Sequence, residues 1–220
     1  MYYDINVYSP RGMPYIRKPP WKAVSFSPCV YMRVASTYIE HMSLEIIMGC
    51  MFSGKSTELI RRVHRFQSIG KRVCVINHNT DTRTDDAVQT HYGEKVSALK
   101  YVHLMNFIEV GHALTYDVIC IDEAQFFGDL FSSVITLVDI YGLHVIVAGL
   151  SGDFQRNHFG EMHLLIPKAD DIHFCKAYCG LCKDVNKPAV FTKRLTDSNE
   201  LVDIGASGKY VAVCRKCYLV

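Results

Sequence analysis

Between Leu44 and Leu150 the apolar residues fall in short, nearly unbroken runs: LEIIMG (44–49), RVCVIN (72–77), YDVICID (116–122) and LHVIVAGL (143–150). Runs of this length, rich in β-branched residues, predict strands buried on both faces, because a strand with one wet face alternates with a period of two. Between the runs the period changes. STELIRRVHRFQSIG sets Leu59, Ile60, Val63 and Phe66 on one side of a helix that Gly70 stops, and DLFSSVITLVDIYG reads as a second helix. Strands alternating with helices predict an α/β fold: a parallel sheet covered by helices on both faces. No internal repeat interrupts it.

The flanks follow other rules. Residues 1–43 hold five of the seven prolines, the only tryptophan and six of the thirteen tyrosines, with no sustained period. They are expected to be an irregular extension, with Met42 placed to serve as a start and a transit peptide as the minor alternative. Residues 44–167 form the expected nucleotide-binding domain. After Pro167 come short strands, paired cysteines and the glycine-bearing stretch DIGASGKY, so 168–220 is expected to be a small second module.

Charge adds little. The net charge is +2, and since 1–43 carries five Arg or Lys against Asp4 and Glu40, the remainder stands near −1. Neither a basic face for nucleic acid nor an apolar run long enough to span a membrane is visible. Nine cysteines form an odd count in a chain with 49% hydrophobic residues, which favours reduced thiols in a cytoplasmic setting over a disulfide scaffold.

The candidate chemistry begins where the first strand ends. Gly49-Cys50-Met51-Phe52-Ser53-Gly54-Lys55-Ser56-Thr57 matches G-x-x-x-x-G-K-[ST], with a strand before it and a helix after it. Glycines let backbone N–H groups turn inward around phosphates, the helix N-terminus adds positive potential, Lys55 reaches the β and γ phosphates, and Ser56 can ligate magnesium. Candidate ATP contacts are therefore Gly49, Met51, Phe52, Ser53, Gly54, Lys55, Ser56 and Thr57.

In ICIDEAQFF, Asp122 at a strand end fits the magnesium-side carboxylate and Glu123 a general base; two solvated carboxylates, or a cap on the next helix, are the alternatives. Asp81-Thr82-Arg83 follows another strand. Arg83 there suits charge on a transferred phosphoryl group and Asp81 the acceptor, unless the three make a surface turn with an ion pair. Cys179-x-x-Cys182 and Cys214-x-x-Cys217 supply four thiolates for a structural zinc ion, and the 31 residues between the pairs are expected to form a loop anchored at both ends. Cys74 and Cys120 read as core residues of strands.

Taken in order, MFSGKSTELIRRV, DTR, Thr90-His91, IDEAQFF, GLSGDFQRNHFG, FTKR and KYVAVCRKCY resemble the thymidine kinases of the cytosolic, zinc-ribbon type found in cells and large DNA viruses. The resemblance spans about residues 44–220. It implies a P-loop, RecA-like sheet with a C-terminal zinc ribbon and a lasso loop. It also implies transfer of the γ-phosphate of ATP to the 5′-hydroxyl of thymidine or deoxyuridine, with magnesium and structural zinc as cofactors. Further implications are a homotetramer and feedback by dTTP, with no nucleic-acid or membrane partner.

Carried over by position, the resemblance makes Glu123 the base on the 5′-hydroxyl and gives Lys55, Ser56 and Arg83 to the phosphates and magnesium. Asp81 and Gln125 fall near the sugar and metal. Phe126, Phe154 and Phe159 wall the base, with Met51, Leu150, Thr192 and Tyr210 near its 5-methyl group. The lasso covers 201–210, including Asp203 and Gly205. On the residues alone, Phe126, Phe127, Phe154 and Phe159 read as core sooner than as base walls, since aromatics next to strand ends usually are, and Tyr210 reads as packing under the zinc module. Cys50 departs from the family, which often has Pro there, and Gly205-Ala206-Ser207-Gly208 departs from a Gly-Gly-Ala-Asp pattern. Two rivals remain: a kinase of another deoxynucleoside, and an ATP-binding module that does no small-molecule chemistry.

Overall fold

The computed structural model describes residues 42–81, 87–89, 93–196 and 208–220. Arg83, Thr90, His91, Asp203, Gly205 and nearly all of the expected extension lie outside the described residues. Strand β1 (Ser43–Gly49) leads through the phosphate loop into α1 (Lys55–Ser68) and β2 (Val73–His78). Then follow β3 (Ala87–Gln89), β4 (Lys95–Ser97), β5 (Leu99–Tyr101), α2 (Leu104–Glu109), β6 (Val118–Ile121) and α3 (Leu130–Ile135), which runs on as a π-helical stretch over Thr136–Ile140. After β7 (His144–Leu150), α4 (Met162–Leu165) and β8 (Asp171–Cys175) come β9 (Ala177–Tyr178), β10 (Pro188–Ala189), β11 (Phe191–Arg194), β12 (Tyr210–Val213) and α5 (Arg215–Leu219).

Six strands form one parallel sheet in the order β5-β2-β6-β7-β1-β8. Successive side chains of a strand point to opposite faces, so the apolar runs divide between two cores. Ile46, Ile76, Ile119, Ile121, Val145 and Val147 meet Leu104 and Phe107 of α2 and Leu130 and Val134 of α3. Their neighbours Ile47, Val75, Cys120, Ile146 and Ala148 meet Leu59, Ile60 and Val63 of α1. The continuity of the runs has its cause here, since neither face of these strands is wet. Truncating one of these residues, for example Ile46→Ala, is expected to cost about 2–5 kcal/mol.

Two elements come from contacts far along the chain. Asp129 accepts hydrogen bonds from the N–H groups of Leu104 (3.2 Å) and Met105 (2.8 Å), capping α2, while Phe131 N in α3 donates to Glu161 Oε2 at 2.8 Å. The sheet also runs past position 167, where the sequence changes character. β8 pairs with β1 in register from Glu45↔Asp171 to Gly49↔Cys175 and forms an edge. Its residues Asp171–Phe174 are exposed, as an edge strand permits, and the cysteine-bearing module begins beyond Cys175. There β9–β10 and β11–β12 form two antiparallel pairs around Cys179, Ala189, Ala212, Val213 and Cys214.

Candidate active site

All strands of the main sheet end on one side, and β7 intervenes between β1 and β6. The phosphate loop leaves β1 at Gly49, which pairs with Leu150 and Cys175; Asp122 and Glu123 leave β6 after Ile121, which pairs with Val147. With strands about 4.8 Å apart, the loop and the acidic pair face each other across one strand's width.

Gly49 has no room for a side chain: a Cβ would lie 2.5 Å from the Cys175 carbonyl oxygen and 2.6 Å from Ser53 Oγ. Phe52 and Gly54 adopt left-handed backbone, with φ of 63° and 83°. Alternation of this kind turns successive N–H groups toward one concavity, which suits an anion. Ser53 Oγ and Lys55 Nζ each donate to the Cys50 carbonyl at 2.8 Å, bracing the loop from within. Burial draws the Lys55 ammonium below its ordinary value, and the Glu123 and Asp122 carboxylates oppose that shift. A cation and two carboxylates therefore share this edge of the sheet.

Asp122 is 1% exposed, and its N–H continues the ladder to Ile76 O at 2.8 Å. Glu123 adopts a left-handed conformation, φ 50°, before a short helical turn over Ala124–Phe126. Gln125, buried in that turn, donates through Nε2 to Glu123 Oε2 at 2.7 Å and accepts the Leu150 N–H at Oε1, 3.0 Å away. Gly160, at φ 58°, lies so close to the Gln125 backbone that a Cβ there would collide with it.

The aromatic candidates gather in two groups. Phe126 meets Phe159 edge-on at 5.5 Å and the His78 ring at 5.7 Å, whereas Phe127 is fully buried in the core. Phe154 lies under the Arg194 guanidinium at 3.9 Å. The same guanidinium is 5.0 Å from the Tyr210 ring and bonds its hydroxyl. Tyr218 O–H donates to the Phe154 carbonyl at 2.8 Å, tying this group to α5. Asp81 is buried, with Asn77 Nδ2 donating to its Oδ2 at 2.8 Å.

The sulfurs of Cys179, Cys182, Cys214 and Cys217 all lie within 4.8 Å of one another, with Cys182 and Cys214 at 3.9 Å. Tetrahedral zinc with bonds of about 2.3 Å would set its sulfurs about 3.8 Å apart, so this donor set fits. Burial raises the Cys179 thiol, but the backbone N–H groups of Cys182, Cys214 and Leu181 outweigh it and the net shift is downward; burial and the neighbouring sulfurs raise Cys217. The module also grips the phosphate loop. Met51 N donates to Thr192 Oγ1 on β11 at 3.0 Å, and the Cys50 thiol reaches the Ala189 carbonyl at 3.5 Å within the module's apolar cluster.

Residues 42–218 match the family model described as Thymidine kinase. The chain belongs to the thymidine kinase family. It is 38% identical over 177 residues to a thymidine kinase of Sheeppox virus (strain KS-1), covering 80% of this chain and 97% of that one. It is 41% identical to thymidine kinase a of Arabidopsis thaliana (80% and 75% covered) and to the cytosolic thymidine kinase of Cricetulus griseus (80% and 72%).

Within this thymidine kinase fold the loop residues Gly49, Met51, Phe52, Ser53, Gly54, Lys55, Ser56 and Thr57 lie with Asp122, Glu123, Gln125 and Leu150 along adjoining strand ends. Thr192 comes to the loop from 141 residues away. Sequence reasoning did not single out Asn77, Arg194 or Tyr218. Only the polarity of Asn77 within the apolar run VCVINH could have drawn attention to it, whereas nothing local marks Arg194 as stacking on Phe154 or Tyr218 as bonding the Phe154 carbonyl.

Proposed function

We propose that this thymidine kinase transfers the γ-phosphate of ATP to the 5′-hydroxyl of thymidine or deoxyuridine, giving the monophosphate and ADP for nucleotide salvage. The observation that carries the mechanism is Glu123, fixed by Gln125 2.7 Å away, at the strand end that faces the Lys55 loop. In the reaction the 5′-oxygen forms a bond to the γ-phosphorus, the bond to the β–γ bridging oxygen breaks, and ADP keeps that electron pair. Glu123 accepts the hydroxyl proton and returns it to solvent.

Lys55 and the N–H groups of Phe52–Thr57 hold the phosphates before and during transfer, while the Met51 N–H is held by Thr192. Ser56 and Asp122 would hold magnesium, which when bound would offset the negative charge of the phosphates. Arg83, outside the described residues, is assigned to the transferred phosphoryl group. Asp81 and Gln125 orient the sugar, while Phe126, Phe154 and Phe159 form the walls for the base. Met51, Leu150, Thr192 and Tyr210 border its methyl group, and the backbone near Asp203 and Gly205 reads its edge. A pyrimidine matched by backbone groups excludes purines by leaving buried donors and acceptors unpaired. Cys179, Cys182, Cys214 and Cys217 would hold zinc, which would anchor this half of the pocket.

Cytoplasmic residence, feedback by dTTP and a homotetramer complete the reading. The open edge of β8, where Ile172 and Phe174 are 40% and 42% exposed, supports assembly. Among the described residues, no helix is long and apolar enough to cross a membrane. The test is ADP formation with magnesium-ATP and each of the four deoxynucleosides plus deoxyuridine, beside Glu123→Gln. Thymidine-dependent turnover that collapses in the variant is expected; turnover on none of them, with zinc bound and the fold intact, would overturn the proposal.

A further inference from the structure

Asn77 is wholly buried at the end of β2, and nothing in the machinery above uses it. A buried primary amide must place both its ends. Here Oδ1 accepts the N–H of His78 at 2.8 Å and Nδ2 donates to Asp81 Oδ2 at 2.8 Å, so the amide plane is fixed from one side and aimed at the carboxylate on the other. Asp81 is held at two more points: its N–H donates to the His78 carbonyl at 3.0 Å, and Lys100 Nζ on β5 donates to its own carbonyl.

We propose that Asn77 is a positioning residue for Asp81. Its amide commits one carboxylate oxygen and so sets the rotation of that carboxylate, on the acceptor side of the site, before substrate arrives. The inference rests on the assignment of Asp81 to the nucleoside and metal side. The residue type follows from the contact. Leucine in place of Asn77 would leave Oδ2 without this donor. Aspartate would set two carboxylates at hydrogen-bond distance, where they would have to share a proton. Among the described residues, the charged or titratable groups on the elements beside the pair include Lys100 and Tyr101 of β5, Cys74 and His78 of β2, the His78 ring resting on Phe126 and Phe127, Cys120 of β6, and Asp122 and Glu123 after it.

The test measures kcat and the KM for ATP and thymidine across pH, in full-length Asn77→Asp, Asn77→Ala, Asp81→Ala and the double alanine variant, with thermal melts as the fold control. Asn77→Asp is expected to lose about 10–100-fold in kcat near pH 8 and to regain part of it toward about pH 6, as the carboxylate pair takes up a proton. Wild-type enzyme has no such pair at this position. Adding Asn77→Ala to Asp81→Ala is expected to change kcat/KM less than about twofold, because the partner is already gone. An unchanged kcat and pH profile in Asn77→Asp, or alanine losses that multiply in the double variant, would overturn the proposal. The alanine cycle decides the matter if Asn77→Asp does not fold. Wild-type protein without thymidine-dependent turnover would sink the kinase reading and this inference with it; turnover with multiplying losses would sink this inference alone.

Discussion

Gln125 holds Glu123 through a 2.7 Å hydrogen bond while its other end takes the Leu150 N–H, so one buried amide joins the ends of β6 and β7 and fixes the carboxylate between them. The Glu123 backbone sits in left-handed territory, φ 50°, where a side chain persists only if its surroundings hold it. Gln125 provides that restraint.

Glu123→Gln keeps the shape and removes the basic oxygen. Steady-state kinetics are expected to show kcat lower by about 10²–10⁴ with the KM for thymidine little changed, the pattern of a lost proton acceptor. A fall in affinity with kcat preserved would reassign the residue to binding.

Gly160→Ala acts on the same carboxylate from outside the strand. At φ 58°, with the Gln125 backbone in the way, the methyl group must displace the turn. A stability loss of about 1–3 kcal/mol in thermal or urea melts is expected, with kcat reduced out of proportion to it because Glu123 moves with Gln125.

Cys182→Ser removes one of four sulfurs gathered within 4.8 Å. Zinc content by atomic absorption is expected to fall, and the KM for ATP to rise along with that for thymidine, since Thr192 of the module accepts the Met51 N–H of the phosphate loop. A thymidine effect without an ATP effect would show that the two parts are not coupled.

Glu58 takes both Arg61 (2.7 Å) and Arg62 (2.8 Å), and the Arg61 hydrogen bond, outweighing burial, holds its carboxyl at about 2. A group depressed on folding stabilises the protein above its unfolded value, about 4.3, and that contribution disappears as pH falls through its folded value. Glu58→Gln is therefore expected to be less stable by about 1 kcal/mol at most at pH 7, given the solvent exposure of Arg61. Urea melts of variant and wild type should converge between about pH 4 and 2. A constant gap across that range would place the effect in packing.

Much of the scaffold was legible along the chain because its signals are local. Leu59, Ile60 and Val63 share a face at helical spacing, and all three are buried. Asp122 and Glu123 end an apolar strand, and the paired cysteines lie three residues apart. The place of β8 was not legible. Asp-Ile-His-Phe alternates polar and apolar residues, as a short exposed strand does, but so short a run does not tell that it joins the main sheet beside β1 rather than the cysteine-bearing module. Helix α2 escaped for a different reason: its N-terminus is capped by Asp129, 24 and 25 residues beyond Met105 and Leu104, so no capping residue precedes it.

The sequence by itself determined which residue types could meet a phosphate, a proton and a thiophilic metal, since those depend on side-chain chemistry and spacing within a turn or a strand. Tertiary structure alone decided the order that inserts β7 between β1 and β6. It also joined Gln125 to Leu150, brought Thr192 to Met51 across 141 residues, and aimed Asn77 at Asp81. Hydrogen bonds of about 3 Å require atoms placed to a fraction of an ångström, and that placement comes from packing the whole sheet rather than from any local period.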